Sequence, residues 1–117
     1  MEHWDLLGIA APAGTRDPFV VVGDDGARAI LIVLQPGQAL GDHEVRENTW
    51  VVVIDGTLRC ETAHGAPVDL GRGSLARLEP TERRTLATDG GARILLILTP
   101  WPGPGHYAEL EQRGVRE

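Results

Sequence analysis

Residues 37–56 read GQALGDHEVRENTWVVVIDG, and this stretch decides the fold. It contains the apolar run WVVVI over residues 50–54, with a polar segment before it and an Asp-Gly pair after it. A short aliphatic run bounded by turn residues is typical of a buried strand rather than of a helix. The following Asp55–Gly56 pair predicts a tight hairpin, because glycine tolerates a positive φ.

The rest of the chain repeats this alternation of short apolar runs and turns. The predicted strands are residues 19–22, 29–34, 43–46, 50–54, 57–62, 68–70, 75–78, 84–88 and 94–98. Regular strand–turn spacing predicts an all-β sandwich or barrel. We expect one domain over residues 1–117, with a core over 19–99, an N-terminal arm over 1–18 and a C-terminal tail over 100–117. Within that tail, residues 107–114 predict one or two turns of helix that end at Gly114.

Composition narrows the classes of function. The net charge is −6 and the pI about 5.1, which argues against nucleic acid or an anionic membrane as partners. All 11 basic residues are arginine, so Schiff-base chemistry through a lysine is excluded. Cys60 is the only cysteine, so no intrachain disulfide can form, and we expect a cytoplasmic location. No run approaches the ~20 apolar residues of a membrane span.

The sequence resembles the cupins, small RmlC-like jelly-roll barrels with two short metal-binding motifs. In the first motif, Gly37, His43 and Gly56 stand in register, while Val45 takes the place of the second histidine and Thr49 that of the glutamate. The second motif resembles GSLARLEPTERR over residues 73–84. There Gly73 matches, the proline is displaced to Pro80, and Arg84 takes the place of the histidine.

The resemblance implies an all-β, cupin-like double-stranded β-helix over most of the chain, and a barrel mouth marked by His43, Val45, Thr49 and Arg84. Strand side chains alternate, so a lining that includes Thr49 also includes Val51 and Val53. Three of the four usual metal ligands are replaced, and stable zinc or iron sites need three or four ligands. We therefore predict no bound metal or other cofactor, with a divalent metal as the alternative.

Arg84 is the residue that most changes the expected chemistry. A guanidinium inside a barrel mouth suits a carboxylate or phosphate, so the predicted ligand is a small organic anion. The alternative is an arginine on a surface turn, since Glu82 and Arg83 beside it look solvated, and a slip of one residue would turn Arg84 outward.

Two residues outside the motif positions are candidates for a rebuilt metal site with His43. Glu47 lies in the loop HEVRENT. The alternative to a metal ligand, which we favour, is an exposed loop carboxylate. His106 follows a proline-glycine loop after the last predicted strand, and such a loop can fold over a barrel mouth. The alternative for His106 is a surface histidine.

Trp50, Val52 and Ile54 alternate with the interior set and predict an apolar outer face. Such a face usually marks an interface, so we expect a homodimer. The resemblance adds exchange of an N-terminal strand, for which residues 19–22 are the candidate.

Three functions remain open at this point. The first is a small-molecule-binding barrel without a full metal site, its ligand held by His43, Val45, Thr49 and Arg84. The second is a metal-dependent dioxygenase or isomerase with a site rebuilt from His43, Glu47 and His106. The third is metal-free acid–base catalysis by His43. The sequence does not decide whether the protein is an enzyme.

Overall fold

The computed structural model describes residues 1–10, 19–24 and 26–103, and all regular structure within these ranges is β-strand. The strands are β1 (Phe19–Asp24), β2 (Ala27–Leu34), β3 (Ala39–His43), β4 (Asn48–Gly56), β5 (Leu58–Thr62), β6 (Val68–Leu70), β7 (Leu75–Leu78), β8 (Arg84–Ala87) and β9 (Ala92–Thr99). None of the described residues form a helix of the length and apolarity that crossing a membrane requires. The predicted helix over 107–114 lies outside the described residues.

The strands form two antiparallel sheets. One has five strands in the order β1-β2-β9-β4-β7, and the other has four in the order β3-β8-β5-β6. In the five-stranded sheet, β9 lies between β2 and β4, and its register pairs Leu96 with Ile30 on one side and with Val51 on the other. In the four-stranded sheet, β8 pairs with both β3 and β5. The predicted all-β jelly roll is therefore confirmed.

The core lies between the two sheets and is almost entirely aliphatic. Alternate residues of β4 and β9 are buried, as period-2 patterning requires. The buried cluster comprises Ile32, Leu34, Val51, Val53, Leu58, Cys60, Leu78, Leu86, Ala92, Ile94 and Leu96. Burial of this apolar area drives folding at about 25 cal/mol per Å². These side chains form one contiguous apolar cluster between the sheets.

Two local predictions are wrong. The third strand was expected at residues 43–46, but β3 ends at His43, and the charged segment after it leaves the sheet. Within that segment the Val45 carbonyl accepts a hydrogen bond from the Thr81 amide at 2.7 Å, so it binds a turn rather than a strand. The expected hairpin at Asp55–Gly56 is also absent, because β4 and β5 lie in different sheets. Gly56, with a φ of 82°, instead carries the chain from one sheet to the other.

The outer face of the five-stranded sheet carries the predicted apolar set. Trp50, Val52 and Ile54 are each half-buried there. The Arg93 side chain of β9 donates hydrogen bonds to the carbonyls of Leu6, at 2.6 Å, and Ile9. The first ten residues thus bind one end of this face. Strand β1, the candidate for exchange, pairs with β2 in the single chain, and its exchange with a second chain stays a prediction.

Candidate functional site

The four positions that mark the expected barrel mouth come together at one end of the sandwich. His43 in β3 and Arg84 in β8 are direct backbone partners. Thr49 in β4 approaches Arg84 from the opposite sheet, with 3.3 Å between its Oγ1 and the Arg84 NH1 atom. Val45 lies in the segment between β3 and β4. The side chain of His43 and all of His106 lie outside the part of the chain that the structure describes.

Arg84 lies inside the barrel and is only 2% exposed. Its Nε donates to the Glu82 carbonyl at 2.6 Å, its NH2 to the Glu79 carbonyl at 3.1 Å, and its NH1 to the Thr49 hydroxyl. The side chain therefore holds both ends of the turn between β7 and β8 and ties this turn to β4. The alternative of a solvated arginine on a surface turn does not describe this geometry.

Within the part of the chain that the structure describes, no carboxylate contact matches the charge of Arg84. Burial lowers the pKa of its guanidinium, and the negative charges of Glu82 and Glu44 oppose that shift. Yet no described carboxylate lies within salt-bridge distance of Arg84. The Glu82 carboxylate instead accepts the Glu79 amide at 2.9 Å. A guanidinium has five N–H donors, and only three of those of Arg84 have acceptors among the described residues.

Glu47 overturns the interpretation that we favoured from the sequence. The side chain is buried, at 1% exposure, and not an exposed loop carboxylate. Its Oε2 accepts the Gly103 amide at 2.7 Å. A Cβ on residue 103 would lie 2.9 Å from that same oxygen and would also collide with the Arg46 carbonyl, so only glycine allows the approach. The burial arises from this contact with the chain beyond β9, which spacing along the sequence does not reveal.

The segment Trp101–Gly103 lies across the same end of the barrel. The Trp101 carbonyl accepts the Gly26 amide at 3.2 Å, and the guanidinium carbon of Arg28 lies 4.6 Å from the centroid of the Trp101 ring. With the Glu47 contact, these interactions fasten the segment at its first and last residues. The sequence left open whether a loop after the last strand covers the mouth and brings His106 there or leaves His106 on the surface. Among the described residues, the covering group is Trp101.

A cavity of about 450 Å³ opens at this end of the barrel. Its lining comprises Glu44, Val45, Arg46, Glu47, Arg83, Leu98 and Trp101. Apolar side chains and an indole ring thus meet two arginines and two glutamates. Glu44 and Arg83 approach each other to 3.6 Å at the exposed rim. Val51 and Val53, which we expected to line an open cavity, belong to the closed core instead, together with Leu86.

Two residues of the cavity lining are connected to the buried Arg84 through one intermediate residue each. Leu98 in the lining is the cross-strand partner of Thr49, whose hydroxyl binds Arg84. Val45 in the lining binds the Thr81 amide, in the turn that Arg84 holds. Arg84 and Thr49 therefore lie behind residues of the cavity wall, and neither is part of its lining. Arg84 lines a separate cavity together with Glu61, Thr62, Ala63, Arg83 and Thr85.

The residues at this end do not fit the metal that the resemblance implies. Thr49 and Arg84 occupy two of the four expected ligand positions, and they bind each other. A guanidinium repels a metal cation, and its nitrogens carry no lone pair for coordination. Among the described residues, no group of three or more His, Cys, Asp or Glu side chains is placed to hold a metal ion.

Cys60 lies in β5 near Arg84 and is 7% exposed. Burial raises the pKa of its thiol, the charge of Arg84 opposes this shift, and Glu82 reinforces it. A thiol that is held protonated is a poor nucleophile. Cys60 therefore belongs to the core, as its sequence context indicates.

The aromatic and basic part of the lining was not predicted from the sequence. Trp101, Leu98, Arg46 and Arg83 line the cavity, and none of them stands at a motif position. The available signal was the PWPGPG segment directly after the last strand, which is too rich in proline to continue that strand. It indicates a covering loop without indicating which of its residues faces the mouth.

Comparison with known proteins supports the fold. The chain is similar to a crystal structure of an RmlC-like cupin protein from Desulfovibrio desulfuricans, with 16% identity, a TM-score of 0.76, and coverage of 86% of this chain and 97% of that one. It is also similar to a conserved protein with a double-stranded β-helix domain from Klebsiella pneumoniae, with 17% identity, a TM-score of 0.75, and coverage of 88% and 93%.

A third similar structure is a cupin superfamily protein from Desulfitobacterium hafniense, with 15% identity, a TM-score of 0.72, and coverage of 81% of this chain and 86% of that one. No family model matches the sequence, and neither does any curated protein. At these identities the likeness concerns the fold alone.

Proposed function

Since the chain has the cupin fold, a double-stranded β-helix, we propose that it is a small-molecule-binding barrel whose ligand carries an anionic group. The observation that carries this proposal is the buried Arg84 guanidinium, which no described carboxylate neutralises. A buried charge that no opposite charge neutralises is costly, even where it is hydrogen-bonded. Such groups are retained where a ligand completes them, and they concentrate at functional sites.

The mouth cavity supplies the remaining parts of such a site. Leu98, Val45 and the ring of Trp101 offer an apolar wall, while Arg46 and Arg83 add positive charge at the rim. Ligand pockets typically combine an apolar lining with a few placed polar groups, in volumes of roughly 300–1,000 Å³. The cavity of about 450 Å³ lies within that range. The best match is a small carboxylate or phosphate with an apolar body.

The geometry of arginine makes the proposal specific. The guanidinium offers parallel N–H donors that match a carboxylate or phosphate, whereas lysine offers only a point charge. Arg84 does not line the cavity itself, so in this proposal the ligand's anionic group displaces part of the lining to reach the Arg84 N–H donors that have no acceptor among the described residues. Its apolar body lies against Trp101 and Leu98. His43 and Thr49 complete the polar end of the site.

Thermal shift with a graded set of anions tests the proposal. The probes are acetate, inorganic phosphate, benzoate and phenyl phosphate, so that charge and apolar body vary separately. A ligand at 100 times its Kd stabilises the folded state by ~2.7 kcal/mol, which corresponds to a clear rise in Tm. We expect the phenyl-bearing anions to raise Tm most. The effect should shrink for Arg84→Lys and disappear for Arg84→Met.

Arg72→Met is the matched control, because Arg72 lies exposed on the turn between β6 and β7. It removes the same charge from the chain and should leave the thermal shifts unchanged. The proposal fails if none of the four anions raises Tm at millimolar concentration. It also fails if the anions that do bind are indifferent to Arg84→Met.

Glu47 supports a second candidate function, acid–base catalysis on the bound ligand. Its carboxylate is buried in the cavity wall, where a ligand would meet it in a partly dry environment. Glu47→Gln keeps the shape of the side chain and removes its proton-transfer capacity. If this variant loses turnover while anion binding is unchanged, Glu47 has a catalytic role. If it loses neither turnover nor binding, the Glu47 carboxylate is purely structural.

A further inference from the structure

We propose that the Arg84 guanidinium replaces the metal ion that the resemblance implies at the barrel mouth. It holds the segments around the mouth together, as a bound metal ion would. The proposal does not depend on the anion-binding function. It is based on the side chains at the implied metal-ligand positions, which do not have the chemistry of metal ligands.

Three oxygen acceptors converge on the Arg84 guanidinium. They are the Thr49 hydroxyl at 3.3 Å, the Glu79 carbonyl at 3.1 Å and the Glu82 carbonyl at 2.6 Å. They come from two different elements, β4 and the turn between β7 and β8. One positive group thus joins the five-stranded sheet to the four-stranded sheet at the end of the core. Coordination by several oxygen atoms from different elements is also how a bound cation cross-links a fold.

The turn that Arg84 holds is strained and touches the mouth. Thr81 has a φ of 63°, in the left-handed region that residues other than glycine rarely adopt. Its amide donates to the Val45 carbonyl at 2.7 Å, and Val45 lines the cavity. A strained residue persists where its surroundings over-determine it. Arg84 supplies this constraint from both ends of the turn, and it thereby positions the Val45 segment.

A covalently attached cation differs from a metal in two ways that can be tested. The guanidinium stays charged at every working pH and cannot be removed by a chelator. It also directs N–H donors outward, so carbonyl and hydroxyl oxygens can surround it without deprotonation. The acceptors here, one hydroxyl and two carbonyls, suit a guanidinium and are poor ligands for zinc or nickel.

Hydrogen exchange at the Thr81 amide is the direct readout. In Arg84→Met we expect this amide to exchange at least about tenfold faster relative to the core amide of Ile94, because the turn loses its hold. Arg84→Lys keeps the charge but cannot reach all three acceptors, so it should restore part of the protection. Arg72→Met, on an exposed turn, should change neither amide. Equal acceleration of both amides in Arg84→Met would mean general destabilisation and would overturn the proposal.

Metal binding is the second arm of the experiment. Wild-type protein should show the same Tm and the same Thr81 exchange in EDTA, in Zn²⁺ and in Ni²⁺. The variant Val45→His, Thr49→Glu, Arg84→His, together with the native His43, should gain about one Ni²⁺ per chain by titration, with a rise in Tm. If this variant does not fold, the wild-type comparison and the exchange data for Arg84→Lys decide. A wild-type chain that takes up one metal and loses Thr81 protection in EDTA refutes the proposal.

Discussion

Two buried charged residues, Arg84 and Glu47, set the character of the barrel mouth. Arg84 donates to a hydroxyl and two carbonyls, whereas Glu47 accepts a backbone amide from the chain beyond β9. Neither residue is paired with the other in these contacts. Each holds a backbone segment over the end of the core, so the two side chains are expected to matter for stability as well as for binding.

Glu47→Ala should lower the free energy of unfolding by roughly 1–3 kcal/mol, because the buried Gly103 amide loses its acceptor. Urea denaturation provides the measurement. Glu44→Ala is the control: this side chain is exposed and its ion pair with Arg83 is 3.6 Å long, so its loss should cost less than about 0.5 kcal/mol. Equal costs for both variants would contradict the inferred role of Glu47.

Cys60 predicts a loss of stability at alkaline pH. Burial raises the pKa of its thiol in the folded state, so above pH ~8.5 the unfolded thiol ionises while the folded one keeps its proton. The unfolded state then binds fewer protons, and stability falls as pH rises, by at most ~1.4 kcal/mol per pH unit. Urea titrations at pH 7.5 and 9.5 should show a smaller fall for Cys60→Ala than for wild type. A parallel fall in both proteins would assign the effect to other groups.

At the scale of elements, the segments between strands decide the shape of the site. Strand β3 stops at His43, and the next residues, up to Glu47, fold over the mouth instead of extending the sheet. Between β4 and β5, Gly56 changes sheets through a positive φ and a close approach to the backbone of Gly91 and Ala92. Because these segments are not strands, the alternation of side chains along a strand predicted the core residues correctly but did not predict the residues at the mouth.

Gly56→Ala tests the crossing between the sheets, and Gly73→Ala is its matched control. Both glycines have similar φ values, 82° and 85°, so both variants incur the left-handed penalty of about 1–2 kcal/mol. A Cβ at residue 56 would also collide with the Gly91 carbonyl and lie 2.9 Å from Ala92 Cα, whereas residue 73 has open space around it. Gly56→Ala should therefore cost at least about 1 kcal/mol more in chemical denaturation. Equal losses of stability in the two variants would mean that the positive φ alone, and not the close contact with residues 91 and 92, requires glycine at position 56.

At the scale of the whole molecule, the outer face of the five-stranded sheet remains the predicted interface of a homodimer. The backbone register aligns Leu75, Val52, Leu95 and Leu31 in one row across β7, β4, β9 and β2. Leu75, at the end of this row, is 62% exposed in the single chain. The first ten residues bind this face at Arg93, and Leu31, at the other end of the row, is already buried in the single chain.

Leu75→Asp should therefore convert the predicted dimer to monomer, because an unpaired charge in an interface costs several kcal/mol. Leu75 is exposed in the single chain, so the variant should still fold; Ile54→Asp tests the same face at a half-buried position. Sedimentation at high micromolar concentration is the measurement. Val68→Asp is the control, since Val68 is 54% exposed on the other sheet. Wild-type protein that sediments as a monomer rules out the interface.

Much of the fold could be read from the sequence because its signals are local. The runs at 29–34, 50–54 and 94–98 all lie within buried strands, and Val68–Leu70 and Leu75–Leu78 were predicted with the same bounds as observed. Turn residues and period-2 alternation act over a few residues, which is the range that a single sequence displays. The identity of the interior residues Thr49, Val51 and Val53 followed from the same alternation.

The tertiary structure alone decided the chemistry of the mouth. Whether Arg84 faces inward depends on the register of β8 between β3 and β5, and its acceptors come from β4 and from the preceding turn. The burial of Glu47 depends on Gly103, which is 56 residues away along the chain. Strand patterns are determined by neighbours in sequence, so the sequence by itself determined the jelly roll. Buried charges are determined by which distant backbone groups meet them, and only the folded chain brings those groups together.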